Sequence, residues 1–311
     1  MYIKKCAKGF SLILLILATN CLVAQKKTID FGLMGNVKSL SSVTTYYSNS
    51  NQTTHSGFLD SENFDSIYLE FDRKRNLVLR ENYLDYRGNL GIFDRTLFHY
   101  NPTNQIEKKE NFLIQNGEEP KKLAQEIKFY YLHNQLIRVD EFNSGRTSDQ
   151  YWVVNWVYEN GWLKEKIYWM EDQIFSKDEF EFNSFYQTIS EKNYSNNGNI
   201  NRYKFFENQR SGLPTRIVTQ TGNEQTIEKF EYSNNYLKRR EIIDHKGNTT
   251  LVEIFDTNGK LHEVKKYNYT NLSYDTYTFD YELDEKNNWV KCNISHNEQL
   301  KYQINRMINY Y

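Results

Sequence analysis

Six histidines, at positions 55, 99, 133, 245, 262 and 296, are the side chains best suited to hold a metal or shuttle a proton. No pair of them has the spacing of a helical zinc motif, and a Gly-x-Ser-x-Gly nucleophile elbow is absent from the sequence. Asn197-Gly198-Asn199 lacks the glycine pattern and helix start of a phosphate cradle. Carboxylates are plentiful, Asp256, Asp275, Asp280, Asp284 and Glu285 among them, and a glycosidase needs two of them paired across a sugar. Their spacing does not pair them. Asp72, Asp85 and Asp256 each stand just before a turn, where a carboxylate accepts backbone N–H groups. The competing calcium reading needs a Gly-Gly-x-Gly-x-Asp nonapeptide, which is missing. Lys238-Arg239-Arg240 is followed by Glu241 and reads as a solvated strand face, not a nucleic-acid stripe. No catalytic, cofactor or metal site is expected.

Aromatic side chains are the remaining candidates. Tyr151-Trp152, Trp156, Tyr158, Trp162 and Tyr168-Trp169 place four of the five tryptophans within one short stretch. Adjacent residues of a strand face opposite ways, so Tyr168 and Trp169 cannot both be buried on one side. Core stacking accounts for most of this cluster, and a ligand or partner contact centred on Trp152, Trp162 and Trp169 is the sharper expectation.

These residues must be positioned by strands. Turn-forming pairs recur at Arg75-Asn76, Gly88-Asn89, Asn116-Gly117, Ser144-Gly145, Asn160-Gly161, Asn197-Gly198, Lys246-Gly247-Asn248, Asn258-Gly259 and Asn287-Asn288. The intervals leave room for one strand each and none for a helical crossover, so consecutive strands run antiparallel. Between turns the pattern alternates, as in Ile67, Leu69, Phe71, in Ile127, Phe129, Tyr131 and in Tyr277, Phe279, Tyr281. One helical turn is expected around Leu123 to Glu126, and residues 48 to 66 read as a long loop.

A unit also repeats: an aromatic, often Asp or Asn, a short gap with Gly or Asn, then Leu or Ile. It reads Phe71-Asp72-Arg73-Lys74-Arg75-Asn76-Leu77, Asp85-Tyr86-Arg87-Gly88-Asn89-Leu90 and Tyr194-Ser195-Asn196-Asn197-Gly198-Asn199-Ile200. It returns as Tyr232-Ser233-Asn234-Asn235-Tyr236-Leu237 and Phe255-Asp256-Thr257-Asn258-Gly259-Lys260-Leu261, and lengthened from Tyr281 to Trp289. The aromatic closes one strand and the aliphatic opens the next. A lone hairpin is marginal in water, so such units must stack. About 18 strands are expected in an all-β antiparallel meander, curled or superhelical as an open, solenoid-like sheet.

The N-terminus looks like an export signal: Lys4, Lys5 and Lys8 precede the apolar run Phe10 to Ala18, and Ala24 offers a cleavage point. A secretory signal over 1–24 leaves one repeat domain over 25–311, with atypical caps at 31–55 and 301–311. Cys21 is a possible lipid anchor, although Asn20 is a poor residue before it. Cleavage after Ala24 leaves Cys292 alone, so no intramolecular disulfide is available. The formal charge of -1 becomes -4 when three lysines and no acid are removed, which disfavours nucleic acid. No later stretch approaches the roughly 20 apolar residues of a spanning helix, so no transmembrane segment is expected.

The repeated units, the opening Gly35-Asn36-Val37-Lys38-Ser39 and the ending Asn288-Trp289-Val290-Lys291 together resemble the YD (Rhs-like) repeats of small exported proteins of Bacteroidetes-type bacteria. The resemblance implies a β-rich repeat fold outside the cytoplasm, periplasmic or extracellular, with attachment to the outer membrane as one form of that location. The functional expectation is a non-enzymatic envelope scaffold binding a protein partner through a broad sheet face. A glycan-binding surface module using exposed aromatics is the alternative, and a carboxylate-dependent glycosidase a third.

Overall fold

The computed structural model describes residues 33–47, 65–86, 89–114, 123–144 and 149–311. The export signal, Ala24, Cys21 and most of the loop at 48–66 lie outside the described residues.

Twenty strands follow one another: β1 (Val37–Tyr46), β2 (Ser66–Phe71), β3 (Leu77–Tyr86), β4 (Asn89–Tyr100), β5 (Ile106–Leu113), β6 (Leu123–Leu132), β7 (Gln135–Asn143), β8 (Gln150–Glu159), β9 (Trp162–Met170) and β10 (Gln173–Phe182). The second half contains β11 (Thr188–Ser195), β12 (Ile200–Asn208), β13 (Pro214–Thr221), β14 (Glu224–Ser233), β15 (Tyr236–Ile243), β16 (Thr249–Phe255), β17 (Leu261–Asn268), β18 (Ser273–Leu283), β19 (Trp289–His296) and β20 (Gln299–Tyr310). Each pairs antiparallel with its neighbours in sequence, as the turn spacing predicts. The helical turn expected near Leu123 is instead the start of β6, because Leu123, Gln125 and Ile127 continue a period of two into Phe129.

The open, solenoid-like sheet is corrected by one pairing. β1 lies against β20 from Val37↔Tyr310 to Tyr46↔Tyr302, which joins the first strand to the last and closes the sheet into a single 20-stranded barrel. The physical reason is the edge: an open meander leaves two rows of unpaired N–H and C=O groups, and closure removes both. The segments expected to cap a stack thus supply the two strands of the seam. Stagger is also defined. A path perpendicular to the strands, from Leu40 through Leu69, Arg80 and Thr96 and on around the ring, returns to β1 displaced by about 20 residues. A stagger equal to the strand number gives a tilt of about 36° and a backbone radius of about 18 Å.

Hydrogen bonding sets the inner face. The Thr44 N–H donates to Asp65 O (2.9 Å) and the Tyr47 N–H to Lys301 O (2.7 Å), on opposite sides of β1. With the right-handed coil of L-peptide strands and this direction of stagger, the face carrying Leu40, Ser42 and Thr44 points inward. The same three residues are buried, while Val43 and Thr45 are exposed.

Local chemistry explains the repeat. Phe71↔Leu77, Tyr100↔Ile106 and Phe255↔Leu261 are the last pairs before turns at one rim, and Tyr131↔Leu136, Tyr158↔Leu163 and Tyr232↔Leu237 the last but one, each beside a β-bulge. The bulge adds local twist, and the aromatic–aliphatic pair packs inside it. The rim is laced from turn to turn: Arg75 Nη2 donates to Asn36 Oδ1 (2.8 Å), Asn76 Nδ2 to Asn104 Oδ1 (2.6 Å) and Gln135 Nε2 to Gly161 O (3.0 Å).

Candidate functional site: the barrel interior and its rim

The inner wall has two tiers. Nearest the laced rim it is apolar, with three buried clusters built around Phe71 and Leu77, around Phe129 and Trp156, and around Phe279 and Ile294. Above them runs a polar belt. Asn82 Nδ2 donates to Asp94 Oδ1 (2.7 Å), Gln125 Nε2 to Glu141 Oε1 (2.8 Å), and Asn193 Nδ2 and Tyr168 Oη to the two oxygens of Asp178 (both 2.7 Å). Farther round, Arg202 meets Glu191 at 2.8 Å, and Arg240 bridges Glu228 (2.8 Å) and Glu253 (3.0 Å). Both signs of charge are present, so the belt is suited to water and hydrophilic solutes and has no strong preference for one sign. Twenty strands exceed the number whose own side chains fill a barrel.

Burial tunes two of these carboxyls. Glu141 is 6% exposed, and desolvation raises its pKa above the usual carboxylate range against hydrogen bonds from Asn143 and Gln125; burial raises Asp94 in the same way. A carboxyl whose pKa is raised by folding destabilises the fold when ionised, and that cost vanishes below the unfolded value. Glu141→Gln is therefore expected to gain on the order of 1 kcal/mol at pH 7.5, with no gain near pH 4. Thermal melts at both pH values check this, and an equal gain at both would remove ionisation as the cause.

The outer wall is polar too. Arg95–Glu81 (2.7 Å), Lys177–Glu179 (2.5 Å), Lys192–Glu181 (2.7 Å) and Arg239–Glu241 (2.5 Å) are mid-strand pairs on that face. A cationic side chain facing lipid at the bilayer midplane costs about 2–4 kcal/mol, so these charges set the condition for any lipid contact.

The three tryptophans singled out by sequence do not form one surface. Trp152 points inward, buried edge-on against Phe175 with ring centroids 5.3 Å apart. Trp169 is its outward counterpart, directly opposite Val153, with its indole N–H buried and unpaired. Trp162 stands at the laced rim, 42% exposed and stacked on Tyr186 at 4.4 Å and 10°. The residues that sequence reasoning missed are the belt members. Lys166, Asp178 and Glu141 are separated in sequence, and only the register across strands aligns them.

Among the described residues no group of three or more His, Cys, Asp and Glu side chains is placed to hold a metal.

No protein-family model and no curated protein matches the chain. Among solved structures it is similar to a porin-like protein from Bacteroides uniformis, at 9% identity and a TM-score of 0.35, covering 89% of this chain and 99% of that one. A porin-like protein from Bacteroides vulgatus matches at 12% identity and a TM-score of 0.27, covering 90% and 99%. The TcdB2-TccC3-Cdc42 complex matches at 9% identity and a TM-score of 0.20, covering 76% of this chain and 19% of that one. At such values the fold rests on the strand pairing of this chain itself.

That pairing corrects three expectations. The YD (Rhs-like) repeat reading is set aside, because the hairpin units are rungs of one closed ring and not a growing stack. The partner-binding scaffold, with its glycan-module and glycosidase alternatives, loses its premise, because a closed ring has an inside and an outside and no broad open sheet face. The expectation of no transmembrane segment, and with it the short roster of a protein partner or surface glycan, rested on apolar helices. No helix among the described residues is long and apolar enough to cross a membrane, but a closed barrel is an architecture that crosses with strands. A closed antiparallel barrel fits a cell-envelope location, broader than the periplasmic or extracellular one expected from the sequence.

Proposed function

We propose that this chain is a hollow envelope barrel that admits small hydrophilic solutes to a charge-lined interior, a channel or transport role. The observation that carries the reading is the β1–β20 seam, which turns the polar belt of Arg202, Glu191, Arg240 and Glu228 into the lining of an enclosed space. The location that goes with it is periplasmic or at the outer membrane.

The interior is tested by its access. Thr219 is on the inward face beside Lys204, and its neighbour Gln220 points outward. A cysteine at Thr219 is expected to react with a small cationic methanethiosulfonate yet at least about tenfold more slowly with a kilodalton-scale maleimide-polyethylene glycol, whereas a cysteine at Gln220 reacts with both. Equal reaction of the inner cysteine with both reagents would mean that the wall does not enclose it. Reaction with neither would mean that the interior admits no solute.

A further inference from the structure

Eight described turns share one geometry, in which the fourth residue of five donates its N–H to the first residue's carbonyl and takes a positive φ. That fourth position is Gly198, Gly212, Gly247, Gly259, Asn104, Asn287 or Arg75 in seven of them. In the turn from Asn183 to Gln187 it is Tyr186, at φ 60°. A bulky aromatic is an outlier in the left-handed region, where glycine and asparagine are at ease. Backbone held against its preference clusters at ligand contacts. Here it places a 58% exposed ring face to face with Trp162.

The stacked pair borders a cavity of about 620 Å³ that Phe180 and Phe182 also line. Two further lining groups make no ion pair or direct hydrogen bond among the described residues: Glu159, directly opposite Trp162 across the β8–β9 hairpin, and Lys164, two residues along the same strand, whose charge also acts on Glu181. The other acid at the cavity, Glu181, is already held by Lys192 (2.7 Å) and Ser190 (2.6 Å). The cavity therefore offers aromatic rings, the Glu159 carboxylate and the Lys164 ammonium. Aromatic faces with a carboxylate attract an alkylated ammonium, for which ring contact is worth more than water. The lysine ammonium attracts an anion.

We propose that this rim cavity binds a small zwitterion carrying a quaternary ammonium, with the ammonium on Trp162 and Tyr186 beside Glu159 and the anionic end at Lys164. The site is on the rim and does not depend on whether the interior conducts.

Isothermal titration of the full barrel with glycine betaine tests it. Saturable binding is expected, with tetramethylammonium and acetate each at least about tenfold weaker. Trp162→Ala and Tyr186→Gly should each weaken betaine binding about tenfold or more. Tyr186→Gly relieves the turn while losing one ring contact, so its melting temperature should stay close to that of the parent, which separates lost binding from lost folding. No saturable binding of betaine to the parent, equal binding by both variants, or saturable binding of a neutral disaccharide in its place would overturn the proposal.

Discussion

Phe279→Ala is expected to destabilise the barrel by about 3–5 kcal/mol, the largest effect of any single truncation on the inner wall. Phe279 is 1% exposed and packs with Val264, Cys292, Ile294 and Ile304, so removing its ring leaves a hole bounded by four strands that pair with one another and cannot close independently. The melting temperature should fall by about 10 °C or more for a domain of this size. Phe205→Ala is the control. Its ring is on the outer face and exposed, and its loss should change stability by less than about 1 kcal/mol. Circular-dichroism melts of the two variants decide the matter, and equal losses would contradict the assignment of inner and outer faces.

Asn288→Ala ranks second, with an expected loss of about 2–4 kcal/mol from several polar groups stranded together. The Asn288 side chain is 0% exposed. Its Oδ1 accepts from the Met34 N–H at 2.5 Å, and its Nδ2 donates to Met34 O at 2.9 Å and to Tyr310 Oη at 2.7 Å. One amide thus ties the turn after β18 to the chain just before β1 and to the last residue of β20. Alanine leaves the Met34 N–H and C=O without those partners at a part-buried rim, which is the expensive way to break a hydrogen bond. The damage should be local before it is global: amide exchange in β1 and β20 should accelerate about tenfold or more relative to β7, measured by hydrogen–deuterium exchange. Uniform acceleration across all strands would contradict a clamp confined to the seam.

Much of the wall was legible in the sequence, and the reasons are local. The Gly and Asn pairs did mark turns: Asn160-Gly161 and Asn234-Asn235 take the positive φ values that two-residue hairpins demand, and Gly259 and Asn287 serve the five-residue turns. The period of two correctly put Ile127 with Phe129 and Phe279 with Tyr281. The repeated aromatic–turn–aliphatic unit proved to be a bulged rim pair, most clearly at Phe71↔Leu77 and Phe255↔Leu261.

Closure was not legible, because nothing local encodes it. Val43 and Asn305 are opposite each other in the seam yet more than 260 positions apart in the chain, and either strand alone reads as an ordinary end of a meander. The polar belt escaped notice for a related reason. Stagger of about 20 residues per circuit moves in-register residues steadily along the chain, so Asp178 and Lys166 meet by register while their sequence neighbours alternate outward. A charged run on a strand reads as a solvated face, which holds for Arg239 but not for Arg240, its inward neighbour between two glutamates.

The seam itself can be measured. Val43 and Asn305 are directly paired on the outer face, and Cα atoms of a hydrogen-bonded antiparallel pair are about 5.5 Å apart, inside the range that a disulfide spans. In the protein carrying Val43→Cys and Asn305→Cys, mild oxidation should give an intramolecular disulfide in most molecules, seen as a compact monomer band on a non-reducing gel and as a higher melting temperature. Cys292 is buried and should stay out of the reaction. Free thiols or disulfide-linked dimers alone would show that the first and last strands do not meet, and the closed barrel would be wrong.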